Sequence, residues 1–591
     1  MSDENIMRDN FQKNQVFTRR AIILGSIKTA LFSFLFCRYY YLQIIDAIKY
    51  KTLSDKNRIK ISVIPPLRGT IRDRNGVDLA TNMLSYRLSF TTRDITQIKE
   101  MLAEVNTIIT NKIEISDNDI KLRLKKLLRS SPFMVSDRLS WEDVTKLEIN
   151  SFNLPGILID QGQRRYYNFH NITAHITGYI ASPSKKELEK ISIPNFNDFL
   201  VGKNGVEKIL DARLRGHPGI KKAEVDALGN HVREISNSPS MEGESVKLAI
   251  DINIQKYAAE ILSDKTGSII LIDIKTGEVL CLYSSPAYDP NSFVGGISTA
   301  EWNSIANDPQ TPLINKAITA LYPPGSTFKI VTALAALEHG ISPDFKVFCN
   351  GKHKVGNRIF HCNRETGHGD VDVRLAIAQS CNVYFYVVAE KMGIKNIVKT
   401  AFGLGFGDKT NIELPYESRG NIPEPNWKFL KFSQKWTIGD TVNASIGQGF
   451  VLTTPIQLAL MAARIASGKN ISPTILQKSG QPTNLKFSPH NLDTIRKGMF
   501  MVFNDNRGNG YRHRISNPDF QICGKTGTAQ VISARKTTKK HHTDHGLFLG
   551  FAPFEDPRYA ISVIVEHGSW GSQSALPIAK EILLYAHSLT E

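Results

Sequence analysis

The chain has 591 residues, of which 41% are hydrophobic and 22% are charged. This balance excludes a disordered chain, and the length exceeds what one hydrophobic core supports, so two or more domains are expected. The formal net charge of +17 favours an anionic membrane surface or polymer as partner. Because the sequence has no zinc-finger, RNP or helix-turn-helix signature, nucleic acid is not expected as a partner.

An apolar run over residues 21–44 predicts a single transmembrane helix, since a span needs about 20 apolar residues. Arg19 and Arg20 precede the run, and the tyrosines at 39–41 are typical of an aromatic belt at the far interface. The positive-inside tendency therefore predicts that residues 1–20 form a cytoplasmic tail and that the rest of the chain lies outside the cytoplasm.

The helix is expected to remain as an anchor. Bulky residues and Arg38 follow the apolar run, where a cleaved signal peptide would have small residues. Lys28 lies within the span, where an ionisable group is costly. Two interpretations stay open for Lys28: snorkelling to the interface, or contact with a polytopic membrane partner.

Residues 45–240 predict a non-catalytic pedestal or dimerisation domain of mixed α/β structure. A turn signal at Asn75–Gly76 precedes a strand-like SYRLSF segment. Residues 95–150 have the apolar spacing of helices, and residues 160–240 mix short strands with turns. No catalytic constellation occurs before residue 245.

Residues 245–591 predict an α+β domain. A strand and a helix come first, then two strands around a Thr276–Gly277 turn, a helical middle, further strands and a closing helix over 575–588. The segment LYPPGSTFKIVTALAALEHG predicts a loop that enters a helix and stops at Gly340. Two short helices are predicted on either side of a break at residues 380–382.

Three short motifs in this domain occur in a fixed order. They are S-x-x-K at Ser326–Lys329, S-x-N at Ser380–Asn382 and K-T-G-T at Lys525–Thr528. Each motif alone is weak, but the ordered trio is the signature of β-lactamases and penicillin-binding proteins. It predicts acyl transfer through a serine.

The chemistry explains the first motif. A serine hydroxyl needs an adjacent base to act as a nucleophile, and Lys329 follows Ser326 by three residues on a helix. A lysine is neutral near pH 7 when it is buried beside another cation, which Lys525 could supply.

The remaining motif residues predict substrate binding. Ser380 would relay a proton to the leaving amine, and Asn382 would hold the substrate amide. The hydroxyls of Thr526 and Thr528 suit the terminal carboxylate of a D-Ala-D-Ala-like donor, and backbone N–H groups of Ser326 and Thr528 would form the oxyanion hole. Gly527 would let the substrate backbone approach the strand.

From residue 60 to its C-terminus the chain resembles class B penicillin-binding proteins, most closely the penicillin-binding protein 2 type of elongation. The segments that carry the resemblance are RGTIRDRNG (68–76), RRYYNFHNITAHITGY (164–179), GKNGVE (202–207), YPPGSTFK (322–329), GHGDVDV (367–373), SCNVYFY (380–386), WTIGDTVNASIGQGFVLTTPIQLA (436–459), GKTGTAQ (524–530) and EHG (566–568). One departure is Asn382, since aspartate is common there in this subtype.

The resemblance implies an inner-membrane protein with a β-lactamase-like D,D-transpeptidase domain in the periplasm. It would cross-link peptidoglycan stem peptides during elongation and cell-shape maintenance, and β-lactams would inhibit it. A RodA-type glycan polymerase is implied as partner, because class B members have no glycosyltransferase module. The alternative is a D,D-carboxypeptidase or β-lactam-hydrolysing enzyme on the same scaffold. A β-lactam sensor is disfavoured, because twenty residues are too few for a cytoplasmic signalling module.

Three of the six cysteines cluster with a histidine in the sequence. Cys349, Cys362, His368 and Cys381 form a C-x12-C-x5-H-x12-C pattern, and Cys3His is a ligand set typical of structural zinc. Some penicillin-binding protein 2 members are similar in holding zinc here. A Cys349–Cys362 disulfide, unlinked thiols and His361 as the fourth ligand stay open. No cofactor is expected for the acyl transfer itself.

Overall fold

The computed structural model describes residues 3–47, 59–127, 132–190, 200–225, 231–477, 482–530 and 544–589. The chain divides into two compact units. One comprises Met1–Pro66 and His217–Met241, and the other comprises Leu67–Gly216 and Glu242–Glu591. The described parts of the predicted pedestal therefore contribute to both units.

The elements are numbered in chain order. The strands are β1 (Ile59–Ile64), β2 (Ile71–Arg72), β3 (Asp78–Phe90), β4 (Phe133–Leu139), β5 (Ile157–Tyr167), β6 (Ile180–Ala181), β7 (Val201–Gly202), β8 (Gly219–Val225), β9 (His231–Ser238), β10 (Val246–Lys247), β11 (Gly267–Asp273), β12 (Val279–Ser285), β13 (Val347–Cys349), β14 (Lys352–Val355), β15 (Arg358–His361), β16 (Gly369–Val371), β17 (Cys523–Ala529), β18 (His545–Ala552) and β19 (Tyr559–Val565). The α-helices are α1 (Asp3–Tyr40), α2 (Ile95–Ile108), α3 (Asp117–Lys126), α4 (Trp141–Ile149), α5 (Ala174–Thr177), α6 (Lys185–Lys190), α7 (Gly205–Ile209), α8 (Asp211–Arg215), α9 (Ile252–Ile261), α10 (Thr299–Ala306), α11 (Lys329–Glu338), α12 (Val373–Ala378), α13 (Asn382–Met392), α14 (Ile394–Leu404), α15 (Pro425–Phe432), α16 (Ile438–Ser445), α17 (Pro455–Ser467), α18 (Pro489–Asn504) and α19 (Ala575–Ser588).

The first unit holds the apolar helix and a small sheet. Helix α1 continues as a π-helix over Tyr41–Ile45, and the stretch Thr18–Ile45 is the one helix of the described residues that is long and apolar enough to span a membrane. Strands β1, β8 and β9 form an antiparallel three-stranded sheet in that order.

A five-stranded sheet begins the second unit. Its strand order is β10-β2-β3-β4, and β5 pairs with β3 over eleven residue pairs. Helices α2 and α4 cover it through an apolar core that includes Phe90, Ile98 and Phe133. The helical expectation for residues 95–150 is wrong at β4, where Phe133 and Val135 are buried and the backbone pairs with β3. A distant partner strand decides this segment, and local spacing does not reveal that partner.

The catalytic region is built on an antiparallel sheet of order β12-β11-β19-β18-β17. All residues of β11, β12 and β19 are buried, and helices α9, α17 and α19 pack on the sheet. The predicted α+β fold with helices flanking an antiparallel sheet is therefore confirmed. Among the described residues β17 pairs only with β18, so no strand pairs with its other edge.

Candidate active site

The nucleophile segment is a 3-10 turn over Gly325–Phe328 that leads into α11. Ser326 lies in this turn and is half-buried. Gly325 has φ +53°, and a Cβ there would come within 2.4 Å of the Thr528 carbonyl oxygen. Only glycine allows this approach, so the turn that carries Ser326 packs directly against the K-T-G-T strand.

Lys329 is fully buried and donates to the S-x-N motif. Its Nζ lies 2.8 Å from the Ser380 carbonyl oxygen, 3.1 Å from Ser380 Oγ and 2.5 Å from Asn382 Oδ1. Burial lowers the pKa of Lys329 to about 8, although Cys362 and Cys381 oppose that change. Its neutral form is therefore accessible near neutral pH, as a general base requires.

The S-x-N motif lies at the break between α12 and α13. Ser380 has φ +59°, which is strained for a residue with a side chain. Main-chain hydrogen bonds hold it, since the Ser380 N–H donates to Ile377 and the Cys381 N–H donates to Ala376. Backbone strain that the surrounding hydrogen bonds hold in place is typical of functional sites.

Lys525 lies on β17 and is also fully buried. Its Nζ donates to the Thr526 carbonyl oxygen at 3.1 Å. Burial lowers the pKa of Lys525 well below its usual value, and the charge of Lys329 lowers it further. The third motif therefore places a second buried lysine close enough to Lys329 for their charges to interact.

Gly527 and Thr528 complete the strand. A Cβ on Gly527 would lie 2.8 Å from Thr327 Cγ2 and 3.0 Å from the Pro324 carbonyl oxygen. The glycine therefore makes room for the nucleophile turn, which is a packing reason that the sequence did not suggest. The side chain of Thr526 is buried, and that of Thr528 is partly exposed.

The four predicted metal ligands lie together beside this site. The facing donor atoms of Cys349, Cys362, His368 and Cys381 all lie within 4.8 Å of one another. His368 Nδ1 is 3.6 Å from Cys349 Sγ and 3.5 Å from Cys362 Sγ, and Cys362 Sγ is 3.9 Å from Cys381 Sγ. A zinc tetrahedron with these ligand types has edges of about 3.5–3.8 Å, so the donor set fits that metal.

In the structure all six cysteines are free thiols, including Cys349 and Cys362, which agrees equally with a metal site and with unlinked thiols. The side chain of His361 is exposed and is outside the cluster, so His368 is the fourth member. A hydrogen bond from the Cys381 thiol lowers the pKa of the Cys362 thiol, which favours a thiolate within the set.

The cluster touches the S-x-N motif through main-chain groups that the sequence could not indicate. The Asn382 N–H donates to Cys362 Sγ at 3.3 Å, and Asn382 Nδ2 donates to the His361 carbonyl oxygen at 3.1 Å. The Tyr386 hydroxyl donates to the same carbonyl at 3.2 Å. The hairpin of β14 and β15 therefore orients Asn382 towards Lys329.

One further contact was not predicted. The Gly325 N–H donates to the Gly447 carbonyl oxygen at 3.0 Å, and Gly447 has φ +71°. Its SIGQG segment is a turn signal, but the sequence gives no reason to connect that turn with Ser326.

Comparison with known proteins identifies both regions. The family of the penicillin binding protein transpeptidase domain matches residues 267–584, and the penicillin-binding protein dimerisation domain matches residues 63–248. The chain is 34% identical to the peptidoglycan D,D-transpeptidase MrdA of Acinetobacter baumannii, over 98% of this chain and 90% of the relative.

Solved structures agree with these matches. A complex between penicillin-binding protein PBP2 and MreC from Helicobacter pylori has a TM-score of 0.79 at 30% identity, covering 90% of this chain and 99% of that one. A structure described as the structural coordination of polymerization and crosslinking by a peptidoglycan synthase complex has a TM-score of 0.70 at 26% identity, covering 95% of this chain and 97% of that one.

Proposed function

The chain belongs to the penicillin-binding protein transpeptidase family and is a peptidoglycan D,D-transpeptidase, and we propose that its acyl-enzyme forms on Ser326. The observation that carries this assignment is the contact of the buried Lys329 Nζ with Ser380 Oγ and Asn382 Oδ1. We propose that Lys329 is the proton acceptor, that the hydroxyl of Ser380 relays the proton and that the amide of Asn382 binds substrate. β-Lactams would be inhibitors because they acylate the same serine.

In the proposed acylation, neutral Lys329 takes the proton of Ser326 as Oγ attacks the carbonyl of the penultimate D-Ala. The backbone N–H groups of Ser326 and Thr528 hold the oxyanion that forms. The peptide C–N bond then breaks, and the terminal D-Ala leaves as an amine that takes a proton through Ser380. The amine of a second stem peptide attacks the ester and releases Ser326, which forms the cross-link.

The proposed role of Lys525 is to bind the donor carboxylate. A buried ammonium without a carboxylate partner is costly, and the depressed pKa of Lys525 expresses that cost. No carboxylate in the described part of the chain forms an ion pair with Lys525, and a substrate carboxylate would supply that partner beside the hydroxyls of Thr526 and Thr528. Asn382 would hold the substrate amide.

Acylation of Ser326 is tested by intact-protein mass spectrometry after incubation with a penicillin. We expect one added penicillin per chain and a labelled peptide that contains Ser326. Ser326→Ala should abolish the adduct, whereas Ser292→Ala, in the 3-10 turn Pro290–Ser292, is the matched control and should leave it. An adduct that survives Ser326→Ala would refute the assignment.

We further propose that Cys349, Cys362, His368 and Cys381 hold zinc. Three thiolates and one imidazole form a closed ligand set, so the metal would supply a structural cross-link and no reactive position. Cys381 lies between Ser380 and Asn382, and fixing its side chain would restrain both neighbours.

The proposed setting is the inner membrane, with the N-terminus in the cytoplasm and the catalytic domain in the periplasm. Thr18–Ile45 would be the anchor. A RodA-type glycan polymerase is the proposed membrane partner, because the chain itself matches a cross-linking domain and a dimerisation domain. The solved synthase complex that resembles this chain supports such a pairing.

A further inference from the structure

His545 lies beside the last residue of the K-T-G-T strand β17, on the face of the sheet that carries the nucleophile turn. It is the first residue of β18 and pairs with Ala529, next to the pair of Thr528 and Gly546. Successive residues of a strand face opposite sides of the sheet. Leu547 faces the same side as Gly527, whose Cβ position points at Pro324 and Thr327, so His545 shares the face on which the serine turn packs.

The position of the His545 ring is fixed by its neighbours. The ring meets Tyr322 edge to face at 5.6 Å between centroids, and it lies 4.9 Å from the ring of His567. Tyr322 precedes Ser326 by four residues, and its hydroxyl donates to Glu566 Oε1 at 2.6 Å. The imidazole therefore lies against residues of the segments 322–329 and 566–568, and its backbone pairs with the segment 524–530. The proposed chemistry uses none of the side chains of His545, Tyr322, Glu566 and His567.

The hydrogen bonding fixes the tautomer of His545. The backbone N–H of His567 donates to His545 Nδ1 at 3.0 Å, so Nδ1 is the acceptor and Nε2 carries the proton. Burial lowers the pKa of His545, which keeps the ring neutral. No other hydrogen bond of this ring is found within the described part of the chain, and the side chain is only partly buried.

The proposed function sets the direction of the bound donor. Lys525 and Thr526 would hold the terminal carboxylate, and the N–H of Thr528 would hold the carbonyl that reacts. The stem peptide upstream of the reacting bond must then pass Ala529, where the open edge of β17 continues. That upstream part carries amide carbonyls and carboxylates, which accept hydrogen bonds.

We propose that His545 is a substrate-binding residue whose Nε2–H donates a hydrogen bond to an oxygen of the stem residue that precedes D-Ala-D-Ala. The proposal rests on the proposed function of Ser326 and Lys525. The oxygen is either the amide carbonyl or a side-chain carboxylate of that residue. A donor that lacks the residue cannot make the bond, so His545 would select long donors over short ones.

The test compares two donors on the full-length protein in detergent. One is a pentapeptide donor that ends in D-Ala-D-Ala, and the other is N-acetyl-D-Ala-D-Ala. The measured quantity is the donor concentration that halves the rate of penicillin labelling at Ser326. His545→Phe keeps a ring against Tyr322 but has no N–H, and His545→Gln keeps an N–H donor.

We expect His545→Phe to raise the half-protecting concentration of the long donor about five- to tenfold relative to that of the short donor, as the loss of one hydrogen bond implies. His545→Gln should restore most of this ratio. A long donor whose stem residue before D-Ala-D-Ala carries an amidated side chain identifies the acceptor. If the main-chain carbonyl is bound, His545→Phe still weakens this donor relative to the short one. If the side-chain carboxylate is bound, His545→Phe has the same effect on both donors.

Equal changes for both donors in His545→Phe, without rescue by Gln, would mean that the ring is only structural and would overturn the proposal. Unchanged values for both donors would overturn it as well. Failure of the wild-type protein to label at Ser326 would instead refute the proposed function, so the two failures are distinguishable.

Discussion

Two buried lysines share the active-site pocket, but their partners differ. Lys329 contacts the hydroxyl of Ser380 and the amide of Asn382, whereas Lys525 donates to a main-chain carbonyl of its own strand. Burial disfavours both charges, and each charge disfavours the other. Lys329 therefore contacts a hydroxyl that can exchange a proton, and the proposed roles of the two lysines, general base and carboxylate binder, differ accordingly.

Arginine substitution separates these roles, because arginine keeps the charge but cannot become a neutral base. We expect Lys329→Arg to slow penicillin acylation by about 100-fold or more, the range that a general base contributes. Lys525→Arg should retain part of the acylation rate. The rates are measured by stopped labelling with a fluorescent penicillin, and exposed Lys265→Arg is the control. Equal losses of acylation rate in the two variants would contradict the proposal that Lys329 is the general base and that Lys525 binds the carboxylate.

A buried histidine outside the pocket predicts a pH dependence of stability. Burial, helped by Lys316, lowers the pKa of His175 to about 3, and its ring packs on Tyr288. The unfolded chain binds a proton near pH 6.5 while the folded chain does not, so this contribution to stability is complete above that pH and is lost as the pH falls towards 3.

The loss expected from His175 between pH 7 and pH 5 is about 2 kcal/mol. The measurement is the free energy of unfolding by denaturant at both pH values, in the wild type and in His175→Phe. The variant retains an aromatic ring but does not titrate, so its stability should fall by about 2 kcal/mol less. The same pH slope in both proteins would contradict the assignment of this titration to His175.

The elements that carry the catalytic motifs are the ones that local sequence signals predict best. The closing helix is found at 575–588 and α11 ends at Glu338 just before Gly340. The predicted helix break lies at 379–381, because α13 already begins at Asn382. Cys281 and Cys523 are buried within strands β12 and β17. Turn residues, helix stops and apolar runs act over a few residues, so a single sequence reveals them.

Local sequence signals do not predict the contacts between elements that are far apart in the chain. The contact of Asn382 with the His361 carbonyl depends on how a hairpin docks on α13, and a main-chain acceptor has no residue type to mark it. The approach of Gly325 to Gly447 joins turns more than a hundred residues apart. The roles assigned to the motif residues stay predictions until acylation is measured.

The position of the β14–β15 hairpin beside the S-x-N motif leads us to expect that removal of the metal slows acylation. If zinc cross-links Cys362 and Cys381, its loss should free the hairpin from the S-x-N motif, because Cys362 Sγ also accepts the Asn382 N–H. We expect about one zinc per chain in protein purified without chelator, and Cys381→Ser should lose zinc and acylate more slowly. Cys281→Ser, at a buried cysteine outside the cluster, is the control for both readouts.

Elemental analysis and thiol counting check the metal. A disulfide mapped between two of the four residues, together with less than about 0.2 zinc per chain, would reject the closed Cys3His site. If Cys381→Ser kept full zinc occupancy and an unchanged acylation rate, Cys381 would not be needed for metal binding or for positioning Ser380 and Asn382.

At the scale of the whole molecule, a strand from the middle of the chain pairs with a strand near its N-terminal end. Strand β8 pairs with β1 although more than 150 residues separate them, so one compact unit contains both the N-terminal helix and the segment His217–Met241. A pattern of apolar residues cannot reveal this, because the pairing is decided by a partner far away in the chain. The domain boundaries predicted for the pedestal (45–240) and for the transpeptidase domain (245–591) stay predictions. Some of those residues lie outside the described part of the chain.

The membrane topology is the last prediction, and the role in the cell wall depends on it. Arg19 and Arg20 lie at the N-terminal end of the helix Thr18–Ile45, just before its apolar residues, so the positive-inside tendency predicts a cytoplasmic N-terminus and a periplasmic segment 46–591. Alkaline phosphatase fused after Glu591 should therefore be active, and green fluorescent protein at the same place should stay dark. The same reporters fused before Met1 are the control and should give the opposite result. A C-terminal fusion that fluoresces would place the catalytic domain in the cytoplasm, away from peptidoglycan, and would overturn both the topology and the proposed cross-linking.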